Sequence, residues 1–192
     1  MPRTLLSKDF FARDTLTVAR ELIGVTMNFN GCEGRIVETE AYTTDAASHA
    51  VTRFHQAHIM RETFARIYVY LIYGMYYCLN FTADAAGPGA VLIRAIEPTR
   101  GLAQMQERRK TDDMKRLTSG PGRLCQAFDI DLRLNGAIIG RELKLTARRQ
   151  EVGILSSPRI GISQATELDW RFYERDNRFV SRFTRKSPLQ SE

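Results

Sequence analysis

The feature that most restricts the fold is the longest apolar run, which extends from about Ile67 to Tyr77 and is interrupted by Gly74. A helix that spans a membrane needs about 18 apolar residues, so this run is too short to cross one. Strand-like segments at 68–73 and 76–82 lie on either side of Gly74-Met75. Aromatic residues suit pleated strands, and glycine suits tight turns. The pattern therefore predicts a β-hairpin that turns at Gly74-Met75.

The other segments mix helix and strand patterns without the regular alternation of a parallel sheet. Asp14 is placed to cap a helix over 15–22 that Gly24 ends, and Asn30-Gly31 is a hairpin signal. Strands are expected at 25–29, 34–42, 90–96, 142–147 and 159–163. One helix is expected from Pro98 to about Lys110, and another begins with the turn 119–122 and continues through Phe128. Residues 50–66 are expected to form a helix or a packed loop. This mixture predicts the α+β class.

At 192 residues the chain has the length of one domain, 1–192, with a tail from Thr184 that is expected to be frayed. Apolar residues make up 43% and charged residues 26%, which is typical of soluble globular proteins and excludes general disorder. No long apolar stretch follows the N-terminal charge, so no secretory signal is expected. The three cysteines form no CxxC pair and fit a reducing, intracellular compartment, the bacterial cytoplasm or a eukaryotic nucleus.

The basic residues are unevenly chosen, since 23 of the 28 are arginine against five lysines, and the net charge is +6. Arginine grips phosphate with two parallel hydrogen bonds and stacks on bases, which lysine does not. The composition therefore favours a polyanionic partner such as nucleic acid, and a merely basic surface is the alternative. The run 107–116 mixes both signs and is interpreted as a solvated surface.

Two carboxylates in the strand-like stretch 35–42 (RIVETEAY) are candidate catalytic groups. On a regular strand Ile36, Glu38, Glu40 and Tyr42 would share one face. Two acids are costly in an apolar core, so that face is expected to be either solvated, with Glu40 idle, or a functional site. Paired acids would also suit glycoside hydrolysis, in which two carboxylates flank the scissile bond.

Five of the seven tyrosines lie between residues 67 and 80, and Tyr73 lies at the lip of the predicted turn. Aromatic rings on strands can stack on bases, and a side chain at a hairpin tip can wedge into a base stack. The ordinary preference of tyrosine for strands is the alternative.

No metal or other cofactor is predicted. His49, His55 and His58 are close in sequence but complete no metal-binding motif. Gly120 and Gly122 stand at a helix start, where free N–H groups favour an anion such as a DNA phosphate, with Arg123 assisting. A simple helix entry turn is the alternative there.

Several blocks together resemble the alkyladenine DNA glycosylase family, also called the 3-methyladenine DNA glycosylases. They are RIVETEAY at 35–42, SHA at 48–50, YVYLIYGMYYCLN at 68–80, AVLIRAIEP at 90–98, SGPGRLCQAF at 119–128, RIGI at 159–162 and, more weakly, 171–181. The blocks occur in the family's order and span most of the chain. The resemblance implies a compact, monomeric single domain around a curved antiparallel sheet with packed helices, and a hairpin that probes the DNA minor groove.

The resemblance also implies the activity. Family members flip alkylated or deaminated purines (the 3-methyladenine, 7-methylguanine, hypoxanthine and ethenoadenine class) out of double-stranded DNA. They hydrolyse the N-glycosidic bond without a metal, cofactor or covalent intermediate, and leave an abasic site. Flipping is needed because the glycosidic bond is out of reach inside the base stack.

The resemblance assigns the catalytic roles. Glu40 corresponds to the general base, and Arg94 corresponds to the arginine that helps to hold the attacking water. Glu38 corresponds to the first acid of the motif, which is not the base. A strand near 160–162, with Ile162 at the pocket, corresponds to the rest of the water's cradle.

It also assigns the base pocket. Tyr42 corresponds to the ring on one face of the flipped base, and His49 and Tyr70 correspond to the pair on the other face. Tyr73 corresponds to the intercalating wedge. Asn80 corresponds to a pocket-wall residue that helps to exclude guanine.

The segment 50–67 departs from the family, because it lacks the usual Pro-Gly turn and is shorter, so substrate range is expected to depend on it. The alternative function is a module that recognises damaged or distorted duplex but has lost catalysis; the intact Glu40 and Arg94 argue against it. No strand-cleaving lyase step is expected, because it needs an amine and none of the five lysines lies between residues 40 and 80.

Overall fold

The structure is a computed structural model that describes residues 4–181. The strands are β1 (Thr26–Phe29), β2 (Cys32–Tyr42), β3 (Ile67–Ile72), β4 (Tyr76–Thr82), β5 (Ala90–Arg100), β6 (Lys144–Thr146), β7 (Ile154–Ser157) and β8 (Arg171–Glu174). The helices are α1 (Lys8–Phe11), α2 (Thr15–Glu21), α3 (His49–Thr52), α4 (His58–Glu62), α5 (Leu102–Arg109), α6 (Met114–Leu117) and α7 (Pro121–Phe128), with a 3-10 turn at Leu132–Leu134. The predicted α+β class is confirmed, whereas the tail from Thr184 lies outside the described residues.

A curled antiparallel sheet organises the molecule. Its strands follow the order β3-β4-β5-β2-β1-β6, and β8 pairs with both β2 and β7. The predicted β1–β2 hairpin turns at Asn30-Gly31, where both residues have the positive φ that a two-residue hairpin turn requires. β2 has β5 along one edge, and β1 followed by β8 along the other. The part of β2 that carries both acids is therefore enclosed by strands on both edges.

Bulges between residues 36 and 39 bend β2 and change which face its side chains occupy. Ile36 packs in the main core, whereas Val37 packs on the other side with Ala95 and Phe179. The prediction that Ile36 shares a face with Glu38 is wrong, because the bulge interrupts the two-residue alternation of the strand.

β5 is longer than predicted, and Pro98 lies within it rather than at a helix start. Pro98 pairs with Gly34 beside a further register shift, where the missing N–H of proline is tolerated. The helix begins four residues later, at Leu102, and ends with Lys110 as its C-cap.

The main core lies between the sheet and helices α2, α5 and α7. Asp14 caps α2 as predicted, because its carboxylate accepts the N–H of Thr17 at 2.9 Å. Leu124 and Phe128 of α7 are fully buried in this core.

Segment 50–66 contains two short helices, α3 and α4, joined by a turn. The strand predicted at 142–147 is present as β6, but the one predicted at 159–163 is wrong: the chain pairs as β7 before it and then forms a loop. None of the helices within residues 4–181 is long and apolar enough to span a membrane.

Candidate active site

The structure contains an open cleft of about 860 Å³. Its walls come from the end of β2 and α3, the β3–β4 hairpin, the start of α7 and the loop 160–164. The cleft therefore gathers segments that are far apart in the sequence. Most of the predicted site residues line it: Tyr42, His49, Tyr70, Tyr73, Arg94, Gly120, Gly122, Arg123 and Ile162.

Glu40 is fully buried directly behind the cleft wall, so its predicted alternative as an idle, solvated acid is wrong. Its Oε1 accepts the N–H of Ile160 at 2.7 Å and lies 3.3 Å from Nη1 of Arg94. Its Oε2 accepts the hydroxyl of Tyr42 at 2.9 Å. All three partners line the cleft.

Glu38 is also fully buried, but its carboxylate is saturated by structural partners. Its Oε1 accepts hydrogen bonds from Nε of Arg94 at 3.1 Å, Nε of Arg171 at 2.7 Å and the hydroxyl of Ser181 at 2.8 Å. Its Oε2 accepts the N–H of Ser181 at 2.7 Å. Arg94 therefore bridges the two acids, with Nε on Glu38 and Nη1 on Glu40.

Three of the aromatic rings that line the cleft are Tyr42, His49 and Tyr70. The His49 and Tyr70 rings pack against each other with centroids 4.4 Å apart, and Tyr42 lines the same cavity. Burial, with the nearby charge of Arg53, lowers the pKa of His49 to about 4. His49 is therefore a neutral ring at physiological pH, and its Nδ1 is hydrogen-bonded to the hydroxyl of Tyr68 at 3.0 Å.

Asn80 lies behind these rings rather than in the main cleft. It lines a small recess of about 20 Å³ that also touches Tyr42, His49 and Tyr70. Its amide nitrogen donates to the carbonyls of Tyr68 at 3.0 Å and Cys78 at 3.4 Å. The recess is the size of a single water and is too small for a purine.

Tyr73 stands at the tip of the β3–β4 hairpin with 80% of its surface exposed. Tyr73 and Gly74 both have positive φ, and the turn between Ile72 and Tyr76 includes Tyr73 as well as the predicted Gly74-Met75. Met75 and Tyr76 at the same tip are also exposed, at 66% and 48%. A large exposed apolar tip that is part of a cleft wall is typical of a binding surface.

The part of the cleft wall around the start of α7 is positively charged. Arg109, Arg116 and Arg123 line it beside Gly120 and Gly122, and none of the described residues that line the cleft is acidic. Burial and, after it, the charges of Arg123 and Arg116 lower the pKa of Arg109. The run 107–116, interpreted from sequence as merely solvated, thus contributes two arginines to the cleft. No group of three potential metal ligands occurs within residues 4–181.

The sequence did not reveal the side chains that hold the acids in place. Ile160 contributes through its backbone N–H, from a loop rather than the predicted strand. Arg171 and Ser181 reach Glu38 from more than 130 residues away. Arg159, which is fully buried, bonds to Asp45 at 2.7 Å. Arg159 and Arg171 are each the first residue of a block of the family pattern, and that was the available signal for them.

Comparisons with known proteins agree with this geometry. The family model for methylpurine-DNA glycosylase matches residues 9–178. Three bacterial proteins whose names mark them as candidate 3-methyladenine DNA glycosylases are similar over most of both chains. The protein of Rhizobium etli is 44% identical, and the match covers 90% of this chain and 87% of the relative. The protein of Nitrosospira multiformis is 45% identical, with 90% of this chain and 91% of the relative covered. The protein of Clostridium perfringens is 40% identical, with 92% of this chain and 98% of the relative covered. The family expected from the motifs is confirmed, and with it the enzyme class of monofunctional DNA N-glycosylase: this chain belongs to the methylpurine-DNA glycosylase family.

Proposed function

We propose that this protein removes alkylated and deaminated purines from double-stranded DNA by hydrolysing the N-glycosidic bond, with Glu40 as the general base, and leaves an abasic site. The observation that carries the proposal is the buried Glu40 carboxylate, fixed by three groups that line one cleft. Cleavage of the bond leaves positive charge on the sugar. A fixed anion stabilises that charge and takes a proton from the attacking water.

The base stacks between Tyr42 on one side and His49 with Tyr70 on the other. The neutral state of His49 supports this role, because a neutral ring does not repel a cationic methylated purine. A cation over an aromatic face gains about 0.5–2 kcal/mol, which helps to offset the few kcal/mol that extrusion from the duplex costs.

Tyr73 fills the space that the flipped nucleotide leaves. Its exposed ring at the hairpin tip is free to enter a base stack, and the pairing of β3 with β4 gives it a rigid support. Apolar side chains that wedge between base steps are a common means of kinking DNA from the minor groove.

Arg109, Arg116 and Arg123 contact DNA phosphates, together with the free N–H groups of Gly122 and Arg123 at the start of α7. The first turn of a helix has N–H groups without intrahelical partners, and α7 has no side-chain cap. Contacts with the DNA phosphates position the protein along the duplex but do not make binding depend on the base sequence.

Asn80 forms the wall of the pocket that discriminates against guanine. Because its recess holds about 20 Å³, that recess has to widen before a purine reaches the amide. Segment 50–67, as α3 and α4, borders the recess through Met60 and affects which lesions enter. The protein acts as a single domain over 1–192, as a monomer inside the cell, and needs no cofactor.

The test is Glu40→Gln. Glutamine fits this position, because its side-chain oxygen can accept the hydrogen bond from the N–H of Ile160. Its NH₂ group can donate to the hydroxyl oxygen of Tyr42, since that hydroxyl can rotate its own hydrogen away. We expect no release of hypoxanthine or 7-methylguanine from duplex oligonucleotides, with lesion binding retained. Glu21→Gln, at an exposed surface pair with Arg13, is the matched control and should excise normally. Excision by Glu40→Gln at the native rate would refute the general-base role, and lesion binding by the native protein without excision would favour the non-catalytic module.

A further inference from the structure

Arg159 lies inside the protein between two aromatic rings. Its Cζ is 4.5 Å from the ring centroid of Tyr42 and 5.1 Å from that of Trp170. Its side chain is fully buried, with Nη1 donating to the carbonyl of Ala41 at 2.9 Å and Nη2 donating to Asp45 at 2.7 Å. Nε has no hydrogen-bond partner among the described residues. A permanent positive charge is therefore buried with one carboxylate as its counter-ion.

This charge sits on the back of Tyr42. Tyr42 lines the cleft and Arg159 does not, so the guanidinium covers the ring face that is turned away from the cavity. Its field reaches the phenol: burial and the charge of Glu40 raise the pKa of Tyr42, and the charges of Arg159 and Arg94 partly oppose that rise. The π electrons of Tyr42 are thus already engaged by one cation.

We propose that Arg159 is a specificity-determining residue, which weakens the attraction of Tyr42 for cationic bases and so lets one pocket accept neutral purines alongside cationic ones. The inference rests on the proposed function, in which Tyr42 stacks on the flipped base. A ring attracts a cation through the negative potential of its face. A cation held on one face withdraws that potential and repels a second cation on the other. The attraction between an aromatic ring and a cation corresponds to about a two- to thirtyfold difference in binding affinity.

The experiment compares two duplexes that differ only in the charge of one base. One carries 7-methylguanine, which is cationic, and the other carries 7-methyl-7-deazaguanine, which has the same shape and is neutral. Binding is measured by fluorescence anisotropy in the Glu40→Gln protein, so neither base is excised. The readout is the ratio of the two dissociation constants. Because both constants come from one preparation, the ratio does not depend on the fraction of protein that is folded.

We expect Arg159→Gln combined with Asp45→Asn to shift this ratio two- to tenfold in favour of the cationic base. The double change removes both charges of the buried pair, so neither is left alone. Arg159→Lys, which keeps the charge, is the matched control and should retain the parent ratio. Asp45→Asn alone leaves the guanidinium without its counter-ion and should shift the ratio the opposite way. That variant tests the inference even if the double variant does not fold.

An unchanged ratio in the folded double variant and in Asp45→Asn, with both affinities lowered equally, would overturn the inference and make Arg159 purely structural. Failure of the proposed function looks different: the Glu40→Gln parent would then bind the 7-methylguanine duplex no more tightly than a guanine duplex.

Discussion

Replacing Glu38 by glutamine should damage stability far more than the chemistry. The two carboxylate oxygens accept four hydrogen bonds, from two guanidinium groups and from the N–H and hydroxyl of Ser181. In glutamine one oxygen becomes an NH₂ group. At one site this group meets the backbone N–H of Ser181, and at the other it meets both arginines. Either orientation sets donor against donor and leaves buried positive charge unpaired.

Removing one partner from a buried ion pair costs about 3–5 kcal/mol. In a domain of this size each kcal/mol lowers Tm by about 2–4 °C, so Glu38→Gln should melt roughly 6–20 °C below the native protein. Thermal unfolding followed by circular dichroism measures this shift. Glu21→Gln removes an exposed pair with Arg13 that is worth below about 1 kcal/mol and is the control.

Excision is then measured at a temperature where all variants are folded. Glu38→Gln should retain part of the native rate, because Glu40 and its bonds to Ile160 and Tyr42 remain. Glu40→Gln should retain none. A Glu38→Gln protein that melts within about 3 °C of the native protein but has lost excision completely would refute this division of roles.

Three further predictions concern the DNA surface and pH. Tyr73→Ala should weaken binding to lesion duplex more than binding to undamaged duplex, measured by anisotropy, since a wedge acts only once the base is out. Met75→Ala, at a second exposed position of the same tip, is the control. Equal weakening of both duplexes by Tyr73→Ala would argue against the wedge. The affinity for undamaged DNA should fall steeply as the salt concentration rises. Arg123→Gln should reduce the slope of log K against log salt concentration by about one. An unchanged slope would show that Arg123 does not contact a phosphate. His49 has a pKa of about 4 in the folded protein against 6.5 unfolded, so its contribution to stability is complete above pH 6.5 and is lost as the pH falls toward 4. In that pH window, the free energy of unfolding of His49→Gln, measured with urea, should depend less on pH than that of the native protein. An identical pH dependence would contradict a buried neutral imidazole.

Local signals predicted the parts of the fold that depend on neighbouring residues. Asp14 identified the start of α2 and Asn30-Gly31 identified the first hairpin turn, because a cap and a turn are each decided within four residues. The helix start predicted at Pro98 is wrong because that prediction also relied only on neighbouring residues. A proline favours a helix start locally, but its pairing with Gly34, 64 positions earlier in the chain, keeps it in β5.

The resemblance gathered residues that do meet in one cleft, including Tyr42, Tyr70 and Arg94. It did not reveal that Asn80 faces a separate recess or that Ile160 presents its N–H from a loop. The groups that hold Glu38 could not be found by any local pattern. Arg171 and Ser181 lie 133 and 143 positions from it, and long-range pairing of this kind depends on the whole sheet.

The two acids of the motif differ in function because their partners differ in kind. Glu38 is held by fixed donors, among them a backbone N–H that cannot reverse, so it has no oxygen left for a substrate. Glu40 bonds to a hydroxyl that can rotate and to groups at the cleft wall. Glycoside hydrolysis by the pair requires both carboxylates to face the scissile bond, and the saturation of Glu38 is incompatible with that. Because Nε of Arg94 is bound to Glu38 while Nη1 reaches Glu40, the first acid orients the arginine that the second one needs.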